Sequence, residues 1–544
     1  MAKGSMPVLV GVGQSVSHWT PEKGVETAPS PLSMARAAAQ AALADCGAAG
    51  NQAVADAIDA LVFVRIFEDS VPRSSHANTN LPGTLARDLG ADPRLAIYSS
   101  VGGQSPQALV HEMAGRIHEG EFDGALLVGS EAIGASKAAR RAGLTLDWAD
   151  GDDRPMEDRG LGDMLLDTSE IRHGLVAPPY YYALFETAIA ARDGRRRDAQ
   201  RRAMSRLFAP FTEVAAANPH AQFPTARTAE WLATPSAENY ELADPFLKWH
   251  IAQDAVNQGA AVLLLSEERA DALGIAPEKR VYLHGGGEAS DGFVVHRPRL
   301  DGSWAMEAAV GRALDQAGLT AAELDAFDIY SCFPCAVFSA CDALGLDWET
   351  DPRPLTLTGG LPFFGGPGNN YSMHGIASMV DWLRTHPGKR GLVLANGGWM
   401  TKESVGVYAT DRPDTFAAVA PAATPQETVS LAEAPNRGIL EAIRWSMAVA
   451  DRNPGSHLGE RRPASVSWQT PRRKRWKRSA TRRTRLAGRS PCPRTIAGGT
   501  DSRLNGRACR RHWRMERGLH KPVQTWIGAG HLAHAGTREK ETAP

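Results

Sequence analysis

The feature that most constrains the fold is an alternation of short apolar runs with helical stretches, and it occurs twice along the chain. The first pass contains predicted strands 7–14, 57–66, 94–100 and 122–130 and predicted helices 33–46, 81–89 and 105–118. The second pass contains predicted strands 280–284, 327–331, 391–395 and 405–410 and predicted helices 305–317, 336–344 and 375–384. Buried strands that alternate with helices predict an α/β fold with a mostly parallel sheet. The recurrence of the order predicts an internal duplication.

Between the two passes lies a long stretch, residues 132–244, in which the alternation breaks into polar, proline-rich and short helical pieces. An excursion of that length inside a compact domain usually serves a function. We therefore predict a lid over a site, set within an N-terminal half of residues 6–270 that a strand at 257–266 completes. The C-terminal half is predicted over residues 278–412.

The composition changes twice beyond these halves. Residues 413–460 are rich in alanine, proline and threonine, which is typical of a linker or of the remnant of a small domain. Residues 461–544 hold 22 Lys and Arg against 4 Asp and Glu, show no apolar periodicity and are predicted to be disordered. This basic tail admits two interpretations, a nucleic-acid-binding arm and an altered or misread C terminus. Its abrupt Arg/Ser/Thr-rich composition favours the second.

The overall composition is that of an ordinary globular protein. Of the 544 residues, 43% are hydrophobic and 22% are charged. No apolar run reaches the roughly 18 residues of a membrane span, and no signal-peptide core follows Met1. A cytoplasmic protein is therefore predicted. Six cysteines in so long a chain do not indicate a disulfide scaffold.

A stretch dense in glycine and proline, residues 359–374, precedes the last predicted helix. This composition excludes a regular helix or strand and predicts a loop whose backbone comes close to a ligand. A glycine pair, Gly102-Gly103, follows the third predicted strand and leads into helix 105–118. Another pair, Gly397-Gly398, follows the strand that ends near Asn396.

These turns, in this order, resemble those of the thiolase superfamily over about residues 7–410, most closely its sterol-carrier-protein-x-type and thiolase-like type 1 branches. The segment from Asp244 to Lys248 (DPFLK), leading into NQGAA at 257–261, adds to the likeness. The resemblance implies a duplicated, five-layer αβαβα sandwich, usually a homodimer, that acts on acyl-CoA thioesters in lipid or steroid metabolism. It implies no cofactor beyond the coenzyme A of the substrate, and a small zinc-ribbon/OB-fold partner protein.

Thiolase chemistry depends on four positions, and all four depart from the pattern in this chain. Val101 stands where the nucleophilic cysteine is expected, and Gly366 where the histidine of the Gly-His-Pro loop is expected. The box at the end of the second C-terminal strand is Tyr330-Ser331-Cys332-Phe333, and Asn396 occupies the turn of the second cysteine. Without a thiolate and its base, ordinary thiolysis or Claisen condensation is not expected.

Three residues are candidates for catalysis instead. Tyr330 resembles the acid/base tyrosine of the cysteine-less aldolase branch, which cleaves CoA-thioester side chains by retro-aldol chemistry. His374 offers a base, and Cys332 a displaced nucleophile, while simple packing is the alternative for Tyr330 and His374. Donors for a thioester oxygen and other substrate contacts are predicted at Gly102, Gly103, Gly359, Gly360, Gly365, Gly366, Asn369, Asn370, Tyr371, Asn396, Gly397 and Gly398.

The pair Cys332-x-x-Cys335 also admits a redox or metal interpretation, but one CxxC without a second pair predicts no metal site. Three functions stay open. The first is an acyl-CoA-binding, acetyl-CoA acetyltransferase-like protein, the second is a retro-aldol lyase, and the third is a non-catalytic acyl-CoA-binding scaffold. The lyase hypothesis requires Tyr330, Tyr371 and His374 to converge within about 5 Å beside Val101.

Overall fold

The computed structural model describes residues 4–48, 50–70, 80–148, 151–163 and 166–422. All of them belong to one compact unit, Met1–Ala448. The predictions made for the tail 461–544, and for most of the segment 413–460, lie outside the described residues. Both predicted halves lie in this one unit, so the boundary between them stays a prediction.

Within the described residues the strands have these bounds: β1 Pro7–Val16, β2 Ala60–Val64, β3 Leu95–Tyr98, β4 Gly124–Glu131, β5 Glu157–Asp158, β6 Glu241–Ala243, β7 Phe246–Leu247, β8 Gln258–Ser266, β9 Tyr282–Ser290, β10 Ala326–Ile329, β11 Arg390–Gly397 and β12 Lys402–Ala409. The α-helices have these bounds: α1 Pro31–Asp45, α2 Asn51–Ala55, α3 Leu81–Leu89, α4 Ser105–His118, α5 Ile133–Ala142, α6 Thr168–Arg172, α7 Pro178–Arg192, α8 Arg197–Ala217, α9 Ala229–Ala233, α10 Glu267–Ala272, α11 Trp304–Ala317, α12 Pro334–Leu344 and α13 Tyr371–Thr385.

The strands form two large sheets, in the orders β1-β8-β4-β2-β3-β5 and β10-β11-β12-β9, and a small β6-β7 pair. Parallel pairing joins β2 to β3 and β4, β3 to β5, and β10 to β11. The other pairs are antiparallel, because β8 returns between β1 and β4 and β12 between β11 and β9. Both sheets are therefore mixed: among the described strands the first sheet has three parallel and two antiparallel pairs, and the second has one parallel and two antiparallel pairs. The prediction of a mostly parallel sheet holds for the first sheet only.

Two helices, α4 and α13, contact strands of both sheets and form the layer between them. Helix α1 covers the outer face of the first sheet, and α11 covers the outer face of the second. This order of layers is the αβαβα sandwich. Helix α4 begins directly after Gln104 with Pro106 in its first turn, where a missing backbone N–H costs no helical hydrogen bond. Because α4 lies between the two sheets, the turn that precedes it leads into this central layer.

The predicted lid is more regular than its sequence indicates. Helices α7 and α8 extend over 15 and 21 residues, although only short helical pieces are predicted there. Both helices bury aromatic side chains, and Phe208 of α8 packs edge-to-face on Phe363 of the glycine loop at 5.9 Å between ring centres. The region is therefore a packed helical layer. In the described part of the chain, no helix is long and apolar enough to cross a membrane.

Helix α13 begins at Tyr371 rather than at the predicted Gly375, so the last residues of the predicted loop are helical. Burial explains the earlier start, because Tyr371 and Met373 are fully buried and their packing outweighs the low helix propensity of Gly375. A β-carbon on Gly375 would lie 2.6 Å from Asp328 Oδ1, so the helix approaches strand β10 closely there.

Candidate active site

A buried carboxylate, Asp328 at the end of β10, holds the entrance of the glycine loop. Its Oδ2 accepts hydrogen bonds from the backbone N–H groups of Leu357 at 2.9 Å and Thr358 at 3.0 Å. The hydroxyls of Thr356 at 3.1 Å and Thr358 at 3.0 Å donate to the same oxygen. The Thr358 hydroxyl also bonds the Tyr371 hydroxyl at 2.6 Å. One carboxylate thus joins the start of the loop to the start of α13.

Three loop glycines are required by close approach of the chain to itself. Gly359, Gly360 and Gly365 have φ of +108°, +80° and +124°, which favour glycine. A β-carbon on Gly359 would lie 2.5 Å from Ala215 of the lid, and one on Gly360 2.6 Å from Ser331 Oγ. The predicted close approach is therefore to the lid and to the box after β10. The substrate role predicted for these glycines stays a prediction.

The glycine loop is tied to the turn before α4. Gly102 N–H donates to Asn369 Oδ1 at 3.1 Å, and Asn369 Nδ2 donates to the carbonyl of Arg65 at 2.8 Å. The Ser372 hydroxyl donates to the Gly103 carbonyl at 3.0 Å. Asn370 is buried against Gly129, and its amide atoms have no hydrogen-bond partner among the described residues.

Tyr330 lies against the turn that precedes α4. A β-carbon on Gly103 would clash with the Tyr330 hydroxyl and the Asn396 carbonyl, so these groups lie directly against the α4 turn. The Tyr330 ring packs edge-to-face on Tyr371, with 5.3 Å between ring centres. Burial raises the pKa of Tyr330, and Cys332 and Glu403 raise it further. The phenol is therefore a hydrogen-bond donor at neutral pH.

Asn396 and Cys332 border the same space from the second sheet. Asn396 Nδ2 donates to the Tyr182 hydroxyl at 3.4 Å and approaches Cys332 Sγ at 3.8 Å. The Tyr182 hydroxyl donates to the Gly398 carbonyl at 3.0 Å, and its ring stacks on Phe333 at 4.1 Å. Burial raises the pKa of Cys332 to about 12, so this sulfur is a thiol rather than a nucleophilic thiolate at neutral pH.

Comparison with known proteins identifies this arrangement. No protein-family model and no curated protein matches the chain. Among solved structures, a monomeric SCP2-thiolase-like protein type 1 (STLP1) from Mycobacterium smegmatis is 42% identical, with a TM-score of 0.63. The match covers 77% of this chain and 80% of that chain. The chain belongs to the SCP2-like branch of the thiolase superfamily.

Two less similar solved structures share the fold of this chain. An Ltp2-ChsH2(DUF35) aldolase is 19% identical with a TM-score of 0.55, over 76% of this chain and 99% of that chain. An acetyl-CoA acetyltransferase from Syntrophomonas wolfei is 15% identical with a TM-score of 0.54, over 75% of this chain and 100% of that chain. At such identities the likeness concerns the fold alone, and the reaction has to be argued from the residues.

His374 makes different contacts from the candidate tyrosines Tyr330 and Tyr371. Its Nδ1 bonds Gln14 Oε1 at 2.8 Å, and its ring packs edge-to-face on Phe364 at 5.0 Å. These contacts direct the imidazole towards strand β1, whereas Tyr330 and Tyr371 pack on each other beside Gly103. Tyr330 and Tyr371 therefore lie together, whereas the convergence of all three side chains beside Val101 and the role of His374 as a base stay predictions.

Several buried polar residues at the site are absent from the sequence-based candidates. Tyr182 comes from the lid, and Glu403 and Arg297 lie on and next to the second sheet. The available signal for Glu403 is a carboxylate near the start of a strand, Lys402–Ala409, that continues as VGVYA. Cys335 is buried with its N–H donated to Glu186 at 2.9 Å. Within the described residues, no three His, Cys, Asp or Glu side chains are grouped as metal ligands.

Proposed function

We propose that this chain binds an acyl-CoA thioester, with the acyl end in the pocket around Tyr330 and the nucleotide end against the lid. The observation that supports the proposal is a pair of cations on one aromatic ring. Arg227 Cζ lies 4.0 Å, and Lys248 Nζ lies 4.8 Å, from the centre of the Trp249 ring. Two neighbouring cations suit the phosphates of coenzyme A.

Glu238 offsets part of the charge of this pair without forming an ion pair with either cation among the described residues. The Arg227 guanidinium donates to the Thr225 carbonyl at 3.0 Å, and among the described residues neither cation forms an ion pair. Burial lowers the pKa of Lys248, and Arg227 lowers it further. Trp249 also stacks at 10° to Phe363 of the glycine loop, with 6.2 Å between ring centres. The cation pair therefore lies beside the glycine loop, which at Gly360 also approaches Ser331, the neighbour of Tyr330.

Replacing both cations, as Arg227→Ala with Lys248→Ala, is expected to weaken the binding of octanoyl-CoA about 100-fold, since each charge-assisted hydrogen bond contributes roughly 1.5 kcal/mol. Isothermal titration calorimetry measures the dissociation constant. Octanoyl-pantetheine, which lacks the nucleotide, should bind the variant and the unaltered chain alike.

Arg206→Ala is the matched control, because Arg206 pairs with Glu349 on the exposed face of α8. Undiminished octanoyl-CoA affinity in the double variant refutes the nucleotide assignment. An equal loss for both ligands indicates a damaged lid instead.

A retro-aldol lyase is the second candidate, because the Tyr330 phenol and the Asn396 amide border one space. In that reaction a base, the role predicted for His374, takes the proton of the β-hydroxyl of a β-hydroxyacyl-CoA. The Cα–Cβ bond then breaks to give a carbonyl product, and the electron pair becomes a thioester enolate. The enolate is then protonated at Cα. Tyr330 and Asn396 are suitable donors for the enolate oxygen. An acetyltransferase-like reaction would need a nucleophile other than the cysteines that Val101 and Asn396 replace.

Tyr330→Phe is expected to reduce cleavage of a β-hydroxyacyl-CoA about 100-fold, since the variant lacks the donor but keeps the ring packing on Tyr371. Release of the carbonyl product is measured, with Tyr282→Phe as a control because its hydroxyl bonds Glu267 far along the chain from the box. His374→Ala tests the predicted base. Unchanged rates in both the Tyr330 and His374 variants contradict the lyase, and acyl-CoA binding without any turnover supports the scaffold.

The assembly and location of the protein stay proposals. A small zinc-ribbon/OB-fold partner is one, and a homodimer is another, although the similar M. smegmatis protein is described as monomeric. In this chain the outer edge of β3 is already paired with β5. Size-exclusion chromatography with light scattering, with and without a partner candidate, distinguishes these states. A cytoplasmic location and a role in lipid or steroid metabolism also stay proposals.

A further inference from the structure

Glu403 is a buried carboxyl group in an unusual position. It is the second residue of β12 and lies directly opposite Asn396 of β11 in the antiparallel ladder. The residue is 1% exposed, and among the described residues neither carboxyl oxygen has a hydrogen-bond partner. An ionised carboxylate in such a place is costly, so the state of this group needs an explanation.

Two neighbouring buried atoms also lack partners. Asn396 Oδ1 is an acceptor without a donor, and Arg297 Nη1 is a donor without an acceptor, among the described residues. Directly opposite side chains of an antiparallel pair point to the same face, with β-carbons about 5 Å apart. Asn396 already directs Nδ2 towards Tyr182 and Cys332. Either state of Glu403 offers an acceptor for Arg297 Nη1, because a neutral carboxyl keeps its carbonyl oxygen. Only the protonated state also supplies the O–H donor that Asn396 Oδ1 lacks.

The charged and titratable groups around Glu403 come from several elements. Arg297 is held by Thr401 Oγ1 at 2.8 Å and by the Gly292 carbonyl at 3.1 Å, and its Nε lies 3.6 Å from Asp291 Oδ2. Asp291 therefore offsets part of the Arg297 charge. Tyr330 and Cys332 face the carboxyl from the end of β10. Burial raises the pKa of Glu403 well above its ordinary value, Arg297 opposes the rise and Asp291 adds to it.

We propose that Glu403 is a neutral positioning residue whose carboxyl O–H holds the amide of Asn396 with its Nδ2 towards the acyl pocket. The site then keeps this donor for a thioester oxygen only while Glu403 retains its proton. Ionisation removes the O–H and places a negative charge beside the position of that oxygen. This inference rests on the proposed acyl-CoA binding and adds an upper pH limit to that binding.

The test is the pH dependence of octanoyl-pantetheine binding in the unaltered full chain and in two variants. This ligand lacks the nucleotide, so ionisation of Lys248 does not contribute to the measured pH dependence. The unaltered protein should lose about tenfold in affinity as Glu403 ionises on the basic side, which corresponds to one lost hydrogen bond to the ligand. Glu403→Gln stays neutral and keeps an N–H donor, so it should bind normally and lack this basic loss. Glu403→Ala should bind about tenfold more weakly throughout the pH range.

Glu186→Gln is the matched control, because Glu186 is a buried carboxyl whose oxygens accept from Gln200 and from the N–H of Cys335. It should keep the basic loss. Infrared difference spectra of unaltered chain against Glu403→Gln provide a readout that needs no ligand, since a protonated Glu403 contributes a carboxylic-acid band at neutral pH.

The outcomes separate the two proposals. A carboxylic-acid band for Glu403 together with a basic loss that Glu403→Gln abolishes supports the inference. A carboxylate band at neutral pH overturns it, as does a basic loss that persists in Glu403→Gln. If neither octanoyl-pantetheine nor octanoyl-CoA binds at any pH, the proposed function fails, while the infrared spectra still decide whether Glu403 holds a proton.

Discussion

Replacing Asp328 with alanine is expected to lower the free energy of unfolding by about 4 kcal/mol. Four donors lose their shared acceptor: the N–H groups of Leu357 and Thr358 and the hydroxyls of Thr356 and Thr358. Each of these groups is buried or nearly so, and an unpaired buried donor costs roughly 1–3 kcal/mol, partly recovered by relaxation or by water. Because the same network reaches the Tyr371 hydroxyl, the variant should also displace the Tyr330–Tyr371 pair.

Urea denaturation followed by circular dichroism measures the loss. Asp315→Ala, on an exposed position of α11, is the control and should shift the midpoint little. Asp328→Asn keeps one oxygen for the loop donors and should fall between the two. A midpoint for Asp328→Ala equal to that of the control contradicts the view that this carboxylate holds the glycine loop.

The parts of the fold that could be predicted from sequence are those with local signals. Helix α4 is predicted at 105–118 and found at Ser105–His118, because a glycine turn and a proline mark its start and apolar residues repeat along it. Strands β4 and β8 are continuous apolar runs, and both differ from prediction by one or two residues at their ends. The thiolase-like turns follow from the same local signals, which explains why the family resemblance is confirmed.

The parts that could not be predicted depend on contacts between distant segments. Helix α7 buries residues around most of its circumference, including Tyr181, Phe185 and Glu186, so it lacks the one-sided apolar pattern of a surface helix. The antiparallel direction of β8 and β12 depends on the segments that connect the strands, so it cannot be predicted from the sequences of the strands themselves. The role proposed for Glu403 depends on its pairing with Asn396, and the register of that pairing cannot be predicted from the sequence of either strand alone.

Mild acid is expected to destabilise the folded chain through two buried histidines. Burial lowers the pKa of His250 to about 3, and Arg201 contributes to the shift. Burial likewise lowers the pKa of His374 to about 3, with a contribution from His220. His250 is held neutral by geometry as well, because its Nδ1 accepts from the Leu247 N–H at 3.2 Å and its Nε2 bonds Ser205 Oγ at 2.9 Å.

The sign follows from proton binding in the two states. Between about pH 6.5 and pH 3 the unfolded chain binds a proton at each histidine that the folded chain does not, so stability is full above this window and falls as the pH falls. From about pH 7 to pH 5 the loss is about 2 kcal/mol for each histidine.

Urea titrations at a series of pH values measure this loss of stability, with the exposed His386→Gln as control. His250→Gln and His374→Gln should each reduce the slope of the free energy of unfolding against pH by the contribution of about one proton. The double variant should reduce it by the contribution of both. A double variant with the same acid slope as the control would mean that neither imidazole is neutral because of the fold. In that case His374 would be free to act as the base that its place in the sequence predicts.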